Sequence, residues 1–479
     1  MGACGSKSET VAPTPYGITV SKVDSELPVV ARQTTSKSGN SAKSGSTVRK
    51  ADSISTAQFI LQNSSQVSEV YEMDGKKLGE GTYGCVVLGK HRATGVLRAV
   101  KKIPKAHVRD LKGLRQEIAM MKMMDHPNII RLFETFEDRH YIFLVMELCE
   151  GGELFDQIVK VGHFSETEAA SLIQDILRAV FYMHEQDVVH RDLKPENFLL
   201  QSKGGIEGNV LKLIDFDSAR RATNRTIMHT MIGTPQYTAP QVEEGPYCRK
   251  CDMWSCGAIM YTMLSGSPPF TGANEDEITE KVRKGVLTFK ELAWRAVGST
   301  KAKTLIRELM QMHAHKRYDA EQAMSHEWIE ECAPKGRNLS ISEGDEGKEE
   351  VALLDKCRKY RHINKLKRAA LYIIAQQFDC PETKRLREMF VTLDADGNGE
   401  LTREQVKRGL EMAGLASSEE DLPEILDALD ADGNGVISCT ELVAAGINDS
   451  SAITEAACRM AFSILDRNGD GEIAGEELA

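Results

Sequence analysis

A polar segment at residues 190–197, reading His-Arg-Asp-Leu-Lys-Pro-Glu-Asn, carries groups that could act together on one phosphate. Asp192 could orient a hydroxyl group and accept its proton, and Lys194 could approach the phosphoryl group during transfer. Asn197 and the later Asp215 offer oxygen atoms that would hold magnesium. Because phosphoryl transfer mainly requires positioning and charge neutralisation, these four side chains could supply most of its chemistry.

An upstream glycine-rich segment, residues 79–86, could hold the nucleotide that provides the phosphate. It reads Gly-Glu-Gly-Thr-Tyr-Gly-Cys-Val, and glycines without β-carbons let backbone amides close over phosphates. Lys101 follows on the next predicted strand, where its ammonium group would hold the α- and β-phosphates. Glu117, on the helix after that strand, is its expected ion-pair partner. The order of these groups predicts a nucleotide site, although glycine-rich turns alone are common.

Acidic loops recur with a period of 36 residues, since Asp394, Asp430 and Asp466 each open a similar segment. Calcium requires six to eight oxygen ligands, a glycine at the sharp turn and a bidentate carboxylate at position 12. The second loop offers Asp430, Asp432, Asn434, Val436, Ser438 and Glu441, and the third offers Asp466, Asn468, Asp470, Glu472 and Glu477. A solvated acidic surface would not repeat this spacing, so the sequence predicts two calcium sites.

The first loop departs from this pattern at its last ligand position. Asp394, Asp396, Asn398 and Glu400 fit, but Gln405 replaces the glutamate at position 12. A neutral amide cannot chelate with two charged oxygens, so the affinity should fall below the roughly micromolar range of calcium sensors. The loop is therefore either a weak calcium site or a structural partner of the second loop.

A basic amphipathic stretch, residues 351–378, joins the two groups of sites and is called the junction below. Its apolar residues recur every three or four positions, at Leu353, Cys357, Tyr360, Ile363, Leu366, Ala370 and Ile373. Basic side chains surround them, as in helices that calmodulin binds. The pattern predicts a switch in which the junction blocks the substrate cleft at low calcium and is captured by the acidic loops' domain at high calcium. The alternative is a helix that simply packs on the catalytic domain.

The elements that position these groups can be inferred from periodicity and composition. A chain of 479 residues is too long for one core and predicts two to four folded units. Short strands are expected at residues 85–88, 98–103 and 141–146, around one helix that carries Leu111, Leu114, Ile118 and Met121. Residues 150–330 are predicted to be mainly helical. The first 65 or so residues are rich in Ser, Thr, Gly and Lys and indicate a disordered arm.

Residues 74–329 resemble a eukaryotic-type Ser/Thr protein kinase domain. Further matching segments are His126-Pro127-Asn128, Gly151-Gly152-Glu153-Leu154, Gly233-Thr234-Pro235, Asp252-Met253-Trp254-Ser255 and His326-Glu327-Trp328-Ile329. Over residues 74–479, the order of kinase, basic junction and EF-hand loops resembles the calcium-dependent protein kinases of plants and apicomplexan-type protists. The resemblance implies a multidomain protein with a two-lobed α+β protein kinase fold followed by an all-α EF-hand domain. Members commonly have four hands, whereas this sequence has three.

The resemblance also implies the residues that contact ATP and the substrate. The nucleotide set is Leu78, Gly79, Gly81, Gly84, Val86, Ala99, Lys101, Met146, Glu147, Glu153, Asn197 and Asp215. Met146 and Glu147 fall at the hinge, and for Met146 simple core packing is an equally good interpretation. Glu153 and Glu196 resemble acidic positions that favour an arginine upstream of the target Ser/Thr. We therefore expect basic protein substrates and no nucleic-acid partner.

Two positions depart from the kinase pattern. Asp217 replaces the usual glycine of the magnesium triplet, so we expect less backbone freedom and slower catalysis or altered metal demand. Gln241 replaces the glutamate of Ala-Pro-Glu, which should leave Arg317 with a hydrogen bond in place of an ion pair. The rival interpretation of these changes is a calcium-responsive pseudokinase scaffold. A plain calcium buffer is disfavoured because buffering needs no phosphotransfer residues.

The first residues, Met-Gly-Ala-Cys-Gly-Ser, match an N-myristoylation pattern at Gly2, with Cys4 available for palmitoylation. One myristoyl chain binds membranes only marginally, so the second acyl group would decide stable attachment. The alternative is an unmodified leader. No apolar run of about 18 residues and no secretory h-region occur, so we expect a cytoplasmic protein that associates with membranes through acylation.

These patterns predict four regions. Residues 1–70 are a disordered, acylated arm, and residues 71–329 are a Ser/Thr protein kinase domain. Residues 330–378 are a linker and the autoinhibitory junction helix, and residues 379–479 are a calmodulin-like domain with three EF-hand loops. The predicted cofactors are ATP, Mg²⁺ and Ca²⁺. The predicted function is calcium-activated transfer of the γ-phosphoryl group of ATP to protein Ser/Thr.

Overall fold

A computed structural model describes residues 60, 62–63, 66–81, 84–289, 294, 297–333, 356–412, 422–448, 450 and 453–478. Most of the predicted arm at residues 1–70, including Gly2 and Cys4, lies outside the described residues. The same holds for Leu353 of the junction. Within the described part of the chain, no helix is both long and apolar enough to cross a bilayer.

The smaller lobe is built on a six-stranded sheet in the order β1-β5-β6-β4-β3-β2. Its strands are β1 (Gln62–Asn63), β2 (Tyr71–Gly81), β3 (Gly84–His91), β4 (Leu97–Pro104), β5 (Leu132–Glu137) and β6 (Tyr141–Met146). All pairings are antiparallel except that of β1 with β5. The predicted strands at residues 85–88, 98–103 and 141–146 are confirmed within β3, β4 and β6. Val100, Phe136 and Val145 are buried on one face of this sheet, where apolar strand residues favour burial.

The predicted helix of the smaller lobe is also confirmed. It follows the short α1 (Val67–Val70) and is α2 (Leu111–Met121), which begins where the Asp110 side chain accepts hydrogen bonds from Lys112 N and Gly113 N. Leu114, Ile118 and Met121 are buried, so the apolar stripe faces the core. Glu117 also lies on the buried side of this helix.

The larger lobe is mainly helical, as predicted. Its helices are α3 (Leu154–Val161), α4 (Glu166–Glu185), α5 (Pro240–Glu244), α6 (Cys251–Ser265), α7 (Glu275–Lys284), α8 (Thr300–Leu309), α9 (Ala320–Met324) and α10 (Glu327–Cys332). Two small sheets pair β7 (Val188–Val189) with β10 (Arg220–Arg221) and β8 (Phe198–Leu200) with β9 (Leu211–Leu213). Nearly every residue of α6 is buried, which makes it the central helix of this lobe. The loops between the short strands carry the polar residues of the predicted active site.

The junction is not one continuous helix. Residues 356–360 are helical, the chain turns at residues 361–364, and α11 (Lys365–Gln377) starts where Asn364 accepts a hydrogen bond from Lys367 N. An Asn at this position caps a helix and separates the two segments. Leu366 is 40% exposed, so it does not belong to the buried face that its spacing predicted.

The EF-hand region shares one hydrophobic core with α11. Its elements are α12 (Pro381–Leu393), β11 (Glu400–Leu401), α13 (Arg403–Met412), α14 (Leu422–Leu429), β12 (Ile437–Ser438), α15 (Cys439–Gly446) and α16 (Glu455–Leu465). β11 pairs with β12, with Glu400 opposite Ser438 and Leu401 opposite Ile437. The first and second calcium loops are therefore paired. Leu371, Ile373 and Ile374 of α11 are at most 2% exposed within this core.

Candidate active site and calcium-binding loops

The predicted catalytic residues meet in the loop between β7 and β8. Lys194 Nζ lies 3.1 Å from Asp192 Oδ2, and Asn197 Nδ2 donates to Asp192 O at 2.8 Å. Thr234 Oγ1 donates to Asp192 Oδ1 at 3.1 Å and accepts from Lys194 Nζ at 3.2 Å. Thr234 lies in the Gly-Thr-Pro segment noted in the sequence, but its contact with Asp192 could not be read from spacing. The arrangement fixes the carboxylate that would receive the substrate's proton.

A buried carboxylate, Asp252 at the start of α6, holds this loop in place. Its oxygens accept from His190 N at 2.9 Å, Arg191 N at 2.8 Å and His184 Nε2 at 3.0 Å. Burial opposes ionisation of Asp252, but the hydrogen bond and charge of His184 outweigh it and lower its pKa. Arg191 has a φ of 72°, a strained value that these bonds stabilise. The sequence indicated Asp252 only as part of a matching segment.

Strand register gathers most of the predicted ATP contacts on one side of the sheet. Gly79 pairs with Val86, Val86 with Lys101, and Ala99 with Met146. Leu78 and Gly81 flank Gly79 on β2. At Gly84 a β-carbon would overlap the carbonyl group of Lys102, so only glycine fits there.

The hinge residue Glu147 turns its carboxylate into the protein. Glu147 Oε1 contacts Lys212 Nζ at 3.1 Å and Gln201 Nε2 at 2.8 Å, and Oε2 contacts Arg131 Nε at 3.3 Å. Burial opposes its ionisation, but Arg131 and Lys212 outweigh it and lower its pKa to about 2. The side chain of Glu147, which was predicted to belong to the nucleotide site, therefore makes structural ion pairs within the protein.

Lys101 does not pair with the partner that the sequence predicted. Its Nζ lies 3.0 Å from Asp217 Oδ1 and 3.8 Å from Asp215 Oδ1, whereas no Lys101–Glu117 ion pair occurs among the described residues. Burial disfavours the charged lysine, but the two aspartates outweigh it and raise its pKa. Burial and the charge of Asp217 raise the pKa of Glu117 to about 9. Lys101 changes its partner because Asp217 contributes an additional carboxylate, and the sequence spacing did not indicate that Asp217 would lie beside Lys101.

The predicted magnesium ligands are compatible with that role. Asn197 uses its amide nitrogen for Asp192 O, which leaves its amide oxygen as the acceptor for a cation. Asp215 has a φ of 64°, and burial raises its pKa despite the charge of Lys101. An amide and a carboxylate oxygen are the donors that Mg²⁺ prefers. ATP-bound Mg²⁺ would supply neutralisation of phosphate charge at these two residues.

An acidic pair lies beside the active-site loop. Glu153 precedes α3, and burial raises its pKa, followed by the charges of Asp156 and Glu196. Within the described part of the chain, Glu196 Oε2 is buried without a hydrogen-bond partner. Two neighbouring carboxylates, one of which has an unpartnered oxygen, form a suitable site for a guanidinium group.

The second calcium loop is arranged around Glu441 at position 12. Glu441 Oε1 accepts from Ala431 N at 2.8 Å and Asp432 N at 3.3 Å, while Oε2 accepts from Ser438 N at 2.8 Å. Carboxylate oxygens of Asp430, Asp432 and Glu441 lie within 4.8 Å of one another. Burial, then the charge of Asp432, raises the pKa of Glu441 to about 8. These clustered carboxylates fit a calcium ion.

The third loop repeats the same geometry around Glu477. Glu477 Oε1 accepts from Arg467 N at 2.9 Å and Asn468 N at 3.3 Å, and Oε2 accepts from Ala474 N at 2.8 Å. Asp466 Oδ2 accepts from Gly471 N at 3.0 Å, and Asp470 Oδ1 accepts from Glu472 N at 2.8 Å. The loop therefore keeps the glutamate-centred form predicted for a calcium site.

The first loop is closed by its own side chains. Gln405 Oε1 accepts from Thr402 N at 2.7 Å, and Gln405 Nε2 donates to Asp396 Oδ1 at 3.1 Å. Asp394 accepts from Asn398 N at 3.1 Å and Gly399 N at 2.9 Å, and burial raises its pKa to about 7. Glu400 Oε1 accepts from Gln186 Nε2 of the kinase larger lobe at 3.0 Å. An amide donor thus bonds one predicted ligand of this loop, whose weak calcium affinity stays a prediction.

The junction reaches the back of the hinge. Arg131 Nη2 lies 2.6 Å from Asp379 Oδ2, and Arg131 Nη1 donates to Gln376 O at 3.2 Å. Arg98 donates to Gln377 O and stacks on Phe133 at 3.7 Å from the ring centre. Cations at the C-terminus of α11 also suit the helix dipole. The structure therefore shows the junction between EF-hand helices and the smaller lobe, and not in the predicted blocking position across the cleft.

The departure at the end of the activation segment behaves as predicted. Arg317, which is 1% exposed, donates from Nη2 to Gln241 Oε1 at 2.9 Å. Gln241 Nε2 donates to Met312 O at 2.5 Å. The expected hydrogen bond between Gln241 and Arg317 is confirmed, so the neutral side chain maintains the link between the segment and the larger lobe.

The fold and these sites define a Ser/Thr protein kinase joined to EF-hands. Residues 72–329 match the family model "Protein kinase domain", residues 383–445 match "EF-hand domain pair", and residues 460–479 match "EF hand". Calcium-dependent protein kinase 5 of Plasmodium falciparum is 39% identical over 421 residues, which cover 88% of this chain and 72% of that protein. Calcium-dependent protein kinase 3 of Plasmodium yoelii yoelii is also 39% identical, over 423 residues that cover 88% of this chain and 76% of that protein.

The chain belongs to the calcium-dependent protein kinase family. It is an ATP-dependent Ser/Thr protein kinase that calcium regulates through fused EF-hands. Calcium-dependent protein kinase 4 of Plasmodium falciparum is 38% identical over 436 residues, which cover 88% of this chain and 81% of that protein. Family membership favours the enzyme over the pseudokinase scaffold.

Proposed function

We propose that this kinase transfers the γ-phosphoryl group of magnesium-ATP to Ser/Thr hydroxyls at Asp192, and that the junction restrains it until calcium binds. In this scheme Asp192 accepts the hydroxyl proton, and Lys194 stabilises the phosphoryl group in transfer. Asn197 and Asp215 would hold magnesium. The distances between Asp192, Lys194 and Thr234 support these roles, because the three side chains already form one hydrogen-bonded set.

The observation that carries the calcium switch is the burial of α11 among EF-hand helices. Ile373 and Ile374 are at most 1% exposed there, and the C-terminal carbonyl groups of α11 bind Arg98 and Arg131. At low calcium, we propose, the junction leaves this position and covers the substrate cleft. Calcium binding to the second and third loops would then favour the captured position, since a ligand shifts a two-state equilibrium by its differential affinity.

We propose proteins with basic residues near Ser/Thr as substrates. Glu153 and Glu196 support this, because the charge of Glu196 helps to raise the pKa of Glu153 and a substrate arginine would neutralise both carboxylates. A peptide series in which the upstream arginine is replaced by norleucine should show a higher KM. The increase should shrink in a Glu153→Gln variant, and an equal increase in both enzymes would contradict the assignment.

We also propose cytoplasmic membrane association through myristoylation of Gly2 and palmitoylation of Cys4. The support is the Met-Gly-Ala-Cys-Gly-Ser pattern alone, and both residues lie outside the described structure. Gly2→Ala should abolish incorporation of labelled myristate and membrane sedimentation. Cys4→Ser should keep myristate but weaken sedimentation, because one acyl chain anchors only marginally. Sedimentation unchanged in both variants would contradict the proposal.

The test of the switch is phosphate transfer to an Arg-containing Ser/Thr peptide in saturating calcium and in chelator. We expect transfer only in calcium. Ile373→Asp places a charge in the shared core and should sharply reduce the calcium response, whereas Leu366→Asp makes the same change at a 40% exposed position of α11 and should reduce it less. Equal transfer with and without calcium would contradict the switch and leave the kinase assignment intact. No transfer despite bound ATP would contradict the catalytic roles.

A further inference from the structure

The carboxylate of Asp217 pairs with Lys101, where the sequence predicted a partner from helix α2. Lys101 Nζ is 3.0 Å from Asp217 Oδ1, and the side chains of both residues are about one-tenth exposed. Glu117, the predicted partner on α2, is 5% exposed, and its carboxyl group makes a hydrogen bond with Asp217 in place of an ion pair with Lys101. The nucleotide lysine is therefore tied to the magnesium segment and not to α2.

We propose that Asp217 is a positioning residue that anchors Lys101 for ATP, a role that α2 and Glu117 do not carry in this protein. Asp217 acts through Lys101 and through the neighbouring Asp215, whose Oδ1 accepts from Asp217 N at 3.4 Å. The proposal rests on the kinase activity of the chain and not on the proposed restraint by the junction.

The backbone permits this exchange without strain. The sequence led us to expect that a residue replacing glycine in the triplet would lose needed freedom. In the structure the left-handed residue of the triplet is Asp215, with φ of 64°, and Asp217 is not among the described residues with positive φ. A non-glycine residue therefore fits at 217 at no conformational cost.

The acids around Lys101 do not share its charge equally. Three carboxylates, from Glu117, Asp215 and Asp217, surround one ammonium group. Glu117 Oε1 and Asp217 Oδ2 are both buried and receive no N–H donor among the described residues, and the two carboxyl groups share a hydrogen bond with each other. The 3.0 Å distance shows that Lys101 contacts mainly Asp217, and Glu117 makes no ion pair with Lys101 among the described residues.

The consequence is a change in what aligns the nucleotide. Lys101 is held on β4 opposite Val86 and Leu144, so its strand fixes one end. The other end is fixed by the segment that carries the magnesium ligand Asp215. The lysine is then held by the segment that carries a predicted metal ligand, and Glu117 of α2 reaches it only through Asp217.

The test compares two matched neutral substitutions in the full chain, at saturating calcium, with magnesium-ATP and an Arg-containing peptide. Asp217→Asn should raise KM for ATP and lower kcat/KM about tenfold or more, because a misplaced lysine weakens phosphate alignment. Glu117→Gln should lower kcat/KM by no more than about threefold. A larger loss from Glu117→Gln than from Asp217→Asn would overturn the proposal.

A second comparison separates the role of Asp217 from loss of folding. Asp217→Gly removes the extra carboxylate, so Glu117 should become the partner of Lys101. In that background Glu117→Gln should lower kcat/KM about tenfold, far more than in the unmodified protein. Equal losses in both backgrounds would overturn the exchange of roles. Binding of a fluorescent ATP analogue and thermal unfolding, measured on each variant, show whether a loss comes from nucleotide alignment or from unfolding, and unfolded variants are replaced by Asp217→Ser in the same cycle.

Discussion

The first and second calcium loops share their spacing and pair through β11 and β12, yet they are built differently. In the second loop, Glu441 accepts backbone N–H groups at 2.8 and 3.3 Å and leaves a cluster of carboxylates to a cation. In the first loop, Gln405 donates an N–H group to Asp396 at 3.1 Å. The loops also differ in their surroundings, because Gly399 lies against His126 and Tyr182 of the kinase, whereas no described heavy atom lies within 4 Å of a β-carbon built at Gly435.

One atom at position 12 therefore separates two uses of the same loop. A carboxylate at position 12 adds to the negative charge of the loop, which a bound cation would neutralise. An amide at the same position instead donates a hydrogen bond to one of the loop's carboxylates. The first loop can then hold its form by internal hydrogen bonds and serve as a contact surface on the larger lobe. The second loop keeps its carboxylates available to a cation.

The largest expected effect is on the calcium dependence itself. Glu441→Gln gives the second loop the residue of the first and should raise the calcium needed for half-maximal activity about tenfold or more, because it removes a bidentate charged ligand. Glu404→Gln makes the same change at an exposed position beside Gln405 and should not shift the curve. Calcium titration of peptide phosphorylation measures both. An unshifted curve for Glu441→Gln would remove the second loop from the switch.

The contact surface of the first loop can be broken at one glycine. A β-carbon at Gly399 would overlap the His126 ring and lie 2.8 Å from Tyr182, whereas Gly435 has open space. Both glycines have positive φ, 79° and 93°, so alanine strains the two backbones alike. Gly399→Ala should therefore destabilise the protein by about 2 kcal/mol more than Gly435→Ala. Thermal unfolding of the two variants in chelator measures the difference, and equal unfolding temperatures would show that the contact is not made.

Restoring a glutamate to the first loop tests whether residue 405 alone prevents calcium binding there. Gln405→Glu should add one bound calcium per chain, because it supplies the missing bidentate ligand. The same change removes the Gln405–Asp396 hydrogen bond and should lower stability in chelator by about 1 kcal/mol. Isothermal titration calorimetry gives the stoichiometry. An unchanged number of ions would mean that contact with the kinase, and not residue 405, prevents binding.

The smallest expected effect concerns a single hydrogen bond between the first loop and α4. Gln186 Nε2 donates to Glu400 Oε1 at 3.0 Å. Gln186→Ala should destabilise the docked state by about 1 kcal/mol. Hydrogen exchange of α4 in chelator should increase in this variant, and Gln322→Ala, in a capping contact within the larger lobe, should not raise exchange at α4. Unchanged protection of α4 would show that the bond does not contribute to docking.

The sequence predicted the residues of both sites but not which of them would touch. Asp192, Lys194 and Asn197 could be identified because a short loop keeps them together. The bond between Gln241 and Arg317 followed from matching segments. By contrast, the partner of Lys101 depends on how three distant segments meet, and the carboxylate of Glu147 depends on Arg131 and Lys212, which no spacing rule connects.

The regulatory region shows the same limit. Asn364 is a recognisable helix cap, so the break inside the junction had a local signal that the apolar periodicity concealed. The contact of Gly399 had none, since the first and second loops carry the same glycine spacing. Only the structure shows that the first loop packs at Gly399 on His126 and Tyr182, whereas the second loop contacts the kinase through hydrogen bonds from Thr440 to Asp125.

Arg131 joins Glu147 at the hinge to Asp379 beyond the junction, at 3.3 and 2.6 Å. An inhibitor that binds at the hinge would therefore lie next to Glu147, whose counter-ion Arg131 also pairs with Asp379 of the regulatory region. Thermodynamic linkage makes such an effect reciprocal, so any factor by which calcium changes the inhibitor's Kd is the factor by which the inhibitor changes calcium affinity. The potency of a hinge-binding drug against this enzyme would then vary with the calcium level of the cell.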